Sequence, residues 1–172
     1  LQLLLPDYTA DEIATCVHEA YDGTFASAEV TPLVPLVGHE ADEGRQPFVL
    51  ELFHGPTSAF KDVALQMLPR LMARTGSASD TPAESIMIVT ATSGDTGKAA
   101  LAGFADAPGT GITVFYPEGK VSRVQELQMT TQTGGNVAVC GVRGNFDDAQ
   151  SAVKRIFADE GLAERLRAQG VV

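Results

Sequence analysis

The chain has few cysteines and no long apolar run, and both shortages exclude classes of protein. Its 172 residues include only two cysteines, Cys16 and Cys140, which lie far apart and lack the spacing of metal ligands. A disulfide framework or a cysteine metal site is therefore not expected. No apolar stretch approaches the roughly twenty residues that a membrane span requires. We expect a cytoplasmic protein that has no membrane segment and binds no metal.

Basic residues are also scarce. Lysine and arginine total 12 against 22 aspartates and glutamates, which gives a formal net charge of −10. This balance argues against a nucleic-acid or anionic-membrane partner, because backbone binding needs clustered basic side chains. It does not argue against a small anionic ligand, which responds only to the local field. The hydrophobic content of 44% can supply the core of one domain, or of most of one plus a piece of another.

The amino-terminal end does not have the pattern of a targeting signal. The chain starts without methionine, and the apolar residues 1–5 lack a basic flank and stop at Pro6. We expect the sequence to be an excerpt of a longer protein.

Hydrophobic spacing predicts an α/β protein. Residues 9–21 predict a helix that opens with a capping box between Thr9 and Glu12. The segment 30–37 contains two prolines, which limits it to an edge strand or an extended segment. From residue 47 onward, strands are predicted at 48–53, 85–90, 112–116 and 137–140, and helices at 59–74, 97–105, 122–131 and 146–159.

Four strand-then-helix units in succession predict a three-layer fold, with a parallel sheet between helices. Pro69 is expected to kink the second helix or to end it early. The polar segment 77–84 is the best candidate for a boundary. We therefore predict that residues 1–84 belong to one domain and residues 85–172 to a second, smaller α/β domain.

Two loops hold the residues best suited to chemistry. One is His-Gly-Pro-Thr-Ser-Ala-Phe-Lys-Asp at 54–62, and the other is Ala-Thr-Ser-Gly-Asp-Thr-Gly at 91–97. Both are predicted to follow strands, and ligands bind at the carboxyl ends of strands in open α/β sheets. We therefore expect the two loops to share one site.

The residue types in these loops indicate Schiff-base chemistry with an anionic ligand. Lys61 is predicted to lie in the first turn of a helix, where the helix dipole disfavours a cation unless the cation serves a ligand. The N–H groups of the second loop, at the next helix start, can bind an anion. The ordinary alternatives are a solvated lysine and a plain polar turn capped by Asp95 or Thr96.

Other readings of these loops match less well. Ser58 and Lys61 have the Ser-x-x-Lys spacing of penicillin-binding acyltransferases, but the accompanying Ser-Asp-Asn and Lys-Thr-Gly elements are absent from the sequence. The pair Gly97 and Lys98 suggests a nucleotide-phosphate loop. That pattern fails at Thr92, where it needs glycine, and at Ala99, where it needs serine or threonine.

Four motifs together resemble the bacterial and fungal threonine synthases. They are the loops at 54–62 and 91–97, Tyr-Pro-Glu-Gly-Lys-Val-Ser at 116–122 and Asn-Phe-Asp-Asp at 145–148, in the order expected for that family. These enzymes depend on pyridoxal phosphate and have the tryptophan-synthase-like fold. The resemblance implies conversion of O-phospho-L-homoserine and water to L-threonine and phosphate.

The resemblance also implies residue roles. Lys61 would form the Schiff base with the cofactor and then move protons, while Phe60 would pack on the cofactor ring. Asp95 matches a position that contacts the cofactor's 3′ oxygen. Substrate contacts are implied for Thr92, Ser93, Gly94, Thr96, Gly97 and Lys120.

The family's loop for the cofactor phosphate would lie beyond Val172, so we expect the 172-residue chain alone to be inactive. Two alternatives stay open at this point. One is another pyridoxal-phosphate enzyme that catalyses β- or γ-elimination, such as a dehydratase. The other is a non-catalytic anion-binding α/β domain.

Overall fold

The computed structural model describes residues 1–38, 46–75 and 85–172, and it has the predicted α/β class. The strands of the described residues are β1 Leu33–Pro35, β2 Phe48–Leu50, β3 Ile86–Ala91, β4 Thr110–Pro117 and β5 Val137–Val142. The helices are α1 Ala10–Tyr21, α2 Asp62–Thr75, α3 Asp95–Phe104, α4 Arg123–Thr130, α5 Phe146–Ala158 and α6 Glu160–Arg167. Within these ranges no helix has both the length and the apolar character needed to cross a membrane.

A three-stranded parallel sheet forms the middle layer. Its order is β3-β4-β5, with Ile88 opposite Ile112 and Ile112 opposite Val137. Ile112 and Val114 of the central strand are buried in a core shared with α3 and α4, while α5 packs on β3 and β4. Helices cover both faces, as parallel sheets require, and the three-layer prediction is confirmed.

The first predicted strand does not belong to that sheet. β2 has three residues instead of six, and it pairs antiparallel with β1, with Leu33 opposite Leu50. The parallel sheet of the described residues therefore has three strands, and the prediction of a fourth is wrong. Proline lacks an N–H donor and is confined to edge strands, and the proline-containing β1 is an edge strand, as predicted for the segment 30–37.

One prediction about α2 is wrong, and one of the two outcomes expected at Pro69 is excluded. The helix begins at Asp62 rather than near residue 59, because residues 55–61 form turns. It then continues through Pro69 to Thr75 and is not ended by the proline. Pro69 cannot donate a hydrogen bond to the carbonyl group of Leu65, and that carbonyl group instead faces α3 at Gly103.

The ends of the other helices follow local signals. The capping box of Thr9 and Glu12 is present at the start of α1, which confirms that prediction. The short helix α6 was not predicted, although Asp159 caps it by accepting a hydrogen bond from the Leu162 N–H.

The predicted domain boundary at 77–84 lies outside the described residues. Leu65 and Met72 of α2 pack against the core cluster of α3, β4 and α4. Residues on both sides of the boundary therefore share one core cluster, and the division into two domains stays a prediction.

Candidate active site

A buried carboxylate organises the loop before Lys61. Asp62 is 0% exposed and accepts hydrogen bonds from the N–H of Thr57 at 2.9 Å and from its hydroxyl group at 2.6 Å. The N–H of Ala59 approaches the same carboxylate at 3.4 Å. Ser58 has φ of 57°, an uncommon conformation for a residue with a side chain. The loop thus wraps around the Asp62 carboxylate. This arrangement sets the position of Lys61, the residue directly before Asp62.

Lys61 lies directly before α2 and not in its first turn, which corrects the prediction. Its carbonyl group accepts the hydrogen bond from Leu65 N–H at 2.9 Å, as the residue that caps a helix does. The side chain therefore leaves the chain at the turn-to-helix junction.

A buried threonine organises the second loop. Thr92 is 2% exposed, and its hydroxyl oxygen accepts hydrogen bonds from Gly94 N–H at 3.0 Å and from Gly97 N–H at 2.8 Å. Gly94, with φ of 137°, is the N-cap of α3, so neither Asp95 nor Thr96 takes that position. The loop and the start of α3 are thereby folded into one tight turn.

This turn leaves donors free at the start of α3. Within the described part of the chain, the backbone N–H groups of Ser93, Asp95 and Thr96 have no hydrogen-bond acceptor. Free N–H groups at a helix start favour an anion.

Among the described residues, one hydrogen bond joins the two loops directly. The Nζ atom of Lys61 donates to the Oγ1 atom of Thr96 at 2.6 Å, across 35 positions in the sequence. The prediction that the loops lie together is confirmed, although its reasoning holds only for residues 91–97, which follow β3. Within the described ranges no hydrogen bond joins Lys61 to Ser58, so the acyltransferase arrangement has no structural support.

A charged group lies beside this contact. The Oδ1 atom of Asp95 is 3.0 Å from the Nε2 atom of Gln125 and 3.0 Å from the Nζ atom of Lys98. The Gln125 amide and then the Lys98 ammonium group hold the pKa of the Asp95 carboxyl below its usual value, and the charge of Lys61 acts in the same direction.

The remaining predicted residues lie around this centre. The Phe60 ring is 60% exposed, and its centroid lies 5.5 Å from the Lys61 Nζ atom. Ser93 is exposed, whereas the Thr92 hydroxyl is committed to the loop's own N–H groups. Lys120 is exposed in the turn after β4, and within the described ranges its side chain has no bond to either loop. Their roles toward a ligand stay predictions.

Sequence reasoning missed three polar side chains that hold the site together. They are Asp62, Lys98 and Gln125. A fourth, Gln128, donates from its Nε2 atom to the Thr57 carbonyl at 3.2 Å, so α4 is tied to both loops. The available signal was the Ser122 to Gln125 spacing of a capping box, which places Gln125 in the first turn of α4.

The buried carboxylate gives a stability prediction. Asp62→Asn is expected to lower the free energy of unfolding by about 2 kcal/mol, because the neutral amide has one acceptor oxygen instead of two and loses the charge that strengthens the hydrogen bonds from Thr57 and Ala59. Urea denaturation measures the effect. The exposed Asp7→Asn is the control, and equal unfolding midpoints for the two variants would contradict the role given to Asp62.

Comparison with known proteins places these features in a family. The model of the pyridoxal-phosphate dependent enzyme family matches residues 25–164. Threonine synthase of Pseudomonas aeruginosa is 44% identical over 155 residues, which cover 88% of this chain and 30% of that protein.

Solved structures agree with the sequence comparison. The crystal structure of PLP-bound threonine synthase from Brucella melitensis has a TM-score of 0.78 and 43% identity, and the match covers 95% of this chain and 32% of that one. Yeast threonine synthase has a TM-score of 0.78 and 40% identity, with 94% and 31% covered. The chain thus spans about a third of the length of these relatives. Since the family model matches most of its residues, the chain belongs to the pyridoxal-phosphate dependent enzyme family.

Proposed function

We propose that the protein is a threonine synthase, a carbon–oxygen lyase that converts O-phospho-L-homoserine and water to L-threonine and phosphate. The observation that supports this most directly is the 2.6 Å hydrogen bond between Lys61 and Thr96. It places the only lysine of the first loop against a helix start that has free N–H donors. Identities of 40–44% to threonine synthases, over nearly the whole chain, support the choice of substrate.

The residues present fit pyridoxal phosphate. The Lys61 amine donates a hydrogen bond to the Thr96 hydroxyl group. It can give up this hydrogen bond when it reacts with the cofactor's aldehyde group. The exposed Phe60 ring lies beside the same amine, with its centroid 5.5 Å from the Nζ atom, and offers an aromatic face on which the cofactor ring could pack. When bound, the cofactor supplies an electron sink for carbanions next to the amino group.

The side chains of this chain would divide the remaining work. Lys61 would move protons at Cα and Cβ of the substrate, since its amine is the mobile base of the site. Thr96 would orient that amine, and the N–H groups of Ser93, Asp95 and Thr96 would bind an anionic group of the substrate. Within the same proposal Thr92, Gly94 and Gly97 shape this turn and Asp95 faces the cofactor.

Lys120 is assigned to the substrate phosphate by the same proposal. It follows β4, the strand next to β3, so its loop lies at the same edge of the sheet as residues 91–97. Its exposed ammonium group is free to meet an anion.

The proposal also covers the division of the chain into two domains and the cellular compartment of the protein. Residues 1–84 would supply the cofactor lysine and residues 85–172 the substrate loop, which the contact between Lys61 and Thr96 supports. A cytoplasmic location is supported by Cys16 and Cys140, which are both free thiols.

A substrate panel tests the function. The protein at its full natural length, loaded with pyridoxal phosphate, is expected to release phosphate and form threonine from O-phosphohomoserine. Serine, threonine and O-acetylserine are expected to react at least about 10²-fold more slowly, because a site built for a charged group rejects analogues that lack it.

Each rival predicts a distinct outcome, in this panel or in borohydride trapping of the cofactor. Preferred deamination of serine or threonine would identify a dehydratase instead. Phosphate binding without a covalent adduct at Lys61 would identify a non-catalytic anion-binding domain.

A further inference from the structure

Lys98 is a buried lysine in an unfavourable position. It is 7% exposed, and it lies in the first turn of α3, where the helix dipole is positive. Burial of an ammonium group is costly unless the group is paired. Within the described residues its ion-pair partner is Asp95, one turn earlier, with 3.0 Å between the Nζ and Oδ1 atoms.

The carboxylate of that pair is held from a second direction. Gln125 donates from Nε2 to the same Oδ1 atom at 3.0 Å. The orientation of the Gln125 amide is fixed, because its Oε1 atom accepts from the N–H of Ser122 at 3.1 Å and from its hydroxyl group at 3.0 Å. Asp95 therefore has a fixed direction and is held ionised.

The pair lies beside the amine of the proposed site. Thr96, which accepts the hydrogen bond from Lys61, directly follows Asp95 in the chain. The charged groups that act on Asp95 are Lys98 on its own helix and Lys61 before α2, and α4 contributes the neutral Gln125. Without Lys98, the nitrogen of Lys61 would face an uncompensated negative charge.

We infer that Lys98 is a positioning residue of this site. It neutralises Asp95 and fixes its orientation, so that Lys61 and an anionic ligand face an oriented ion pair and not an unpaired carboxylate. The inference rests on the proposed function for its effect on the cofactor. It explains how an anion-binding turn can contain an aspartate, since the positive charge of Lys98 offsets the repulsion that Asp95 alone would exert.

A double-mutant cycle on the full-length holoprotein tests the inference. The readout is the pH titration of the cofactor's absorption band, which reports protonation of the nitrogen that joins Lys61 to the cofactor. Lys98→Met leaves Asp95 uncompensated and is expected to raise the midpoint by about one pH unit, because a nearby negative charge favours the protonated form. Asp95→Asn is expected to lower the midpoint by a similar amount, and the double variant to return near the wild-type value.

Opposite signs and recovery in the double variant are results that a merely structural role would not give. Midpoints that move in the same direction, or do not move, would overturn the inference. If Lys98→Met does not fold, Lys98→Gln and Asp95→Asn provide the same comparison of sign.

A second readout separates this inference from the proposed function. In the cofactor-free protein, ¹³C NMR of the Asp95 carboxyl group is expected to show a higher pKa in Lys98→Met than in the wild type. An unchanged value would overturn the inference even if the enzyme is a threonine synthase. If that rise is seen but no cofactor is trapped at Lys61, the ion pair stands while the proposed function, and with it the positioning role, fails.

Discussion

Lys61→Ala is expected to lower threonine formation by about 10³-fold or more, because proton transfer by a positioned base alone contributes 10²–10⁴-fold. The variant also loses covalent attachment of the cofactor, which is a separate contribution. Among the described residues, the one hydrogen bond of the Lys61 side chain goes to the Thr96 hydroxyl, so the substitution is expected to leave the fold intact. Steady-state kinetics on the full-length protein measure the effect.

The matched control is another lysine. Lys154→Ala removes an exposed amine on α5 whose contact is Gln150, and it is expected to retain full activity. Retention of more than about a tenth of the wild-type rate by Lys61→Ala would contradict the assignment of the base, because that loss is below the range for general acid–base catalysis.

Gly103→Ala is expected to lower the free energy of unfolding by about 3 kcal/mol, the upper part of the range for overpacking a core. The added Cβ would collide with the Leu65 carbonyl oxygen and lie 2.8 Å from the Leu65 carbonyl carbon, and neither atom can yield without moving α2 away from α3. The same movement would stretch the 3.0 Å hydrogen bond from Arg70 Nη1 to the Gly103 carbonyl. Urea or thermal denaturation measures the loss.

A second glycine provides the control of opposite sign. Gly161 lies in the exposed helix α6, and the nearest atom to an added Cβ is the Asp159 Oδ1 atom at 3.4 Å. Gly161→Ala is expected to stabilise the protein by about 0.5–1 kcal/mol, because alanine is the better helix former. Equal effects of the two substitutions would show that the approach of α2 to α3 is looser than described.

Local signals in the sequence predicted the parts of the fold that depend on neighbouring residues. The capping box of Thr9 and Glu12 fixed the start of α1. The apolar segments at β3, β4 and β5 predicted the parallel sheet, since strands buried on both faces are apolar throughout.

Pairing between distant segments was not predictable in the same way. The segment 48–53 has the composition of a core strand, yet it pairs with β1, because the choice of partner depends on contacts across the fold. From the sequence alone, Pro69 predicts that the helix kinks or ends early. In the structure α2 continues, and the carbonyl group that Pro69 cannot bond packs against Gly103, 38 positions from Leu65.

The same distinction applies to the candidate site. The residues of the two loops were predicted because glycine, proline and hydroxyl groups beside a lysine are informative within a few positions. Gln125 and Gln128 were missed because each acts across the fold: Gln125 reaches Asp95 over 30 positions, and Gln128 reaches Thr57 over 71. Asp62 acts within five positions, but its burial is not evident from the sequence. In the sequence Lys98 belongs to an incomplete nucleotide-loop pattern, and its burial beside Asp95 becomes evident only when α3 is packed in the fold.

The most direct test of the central claim is to locate the lysine that binds the cofactor. The full-length protein is loaded with pyridoxal phosphate, reduced with borohydride and digested, and the labelled peptide is identified by mass spectrometry. We predict one adduct per chain, on Lys61, and none in Lys61→Ala. An adduct on Lys98, on Lys120 or outside this chain, with Lys61 unmodified, would contradict the account.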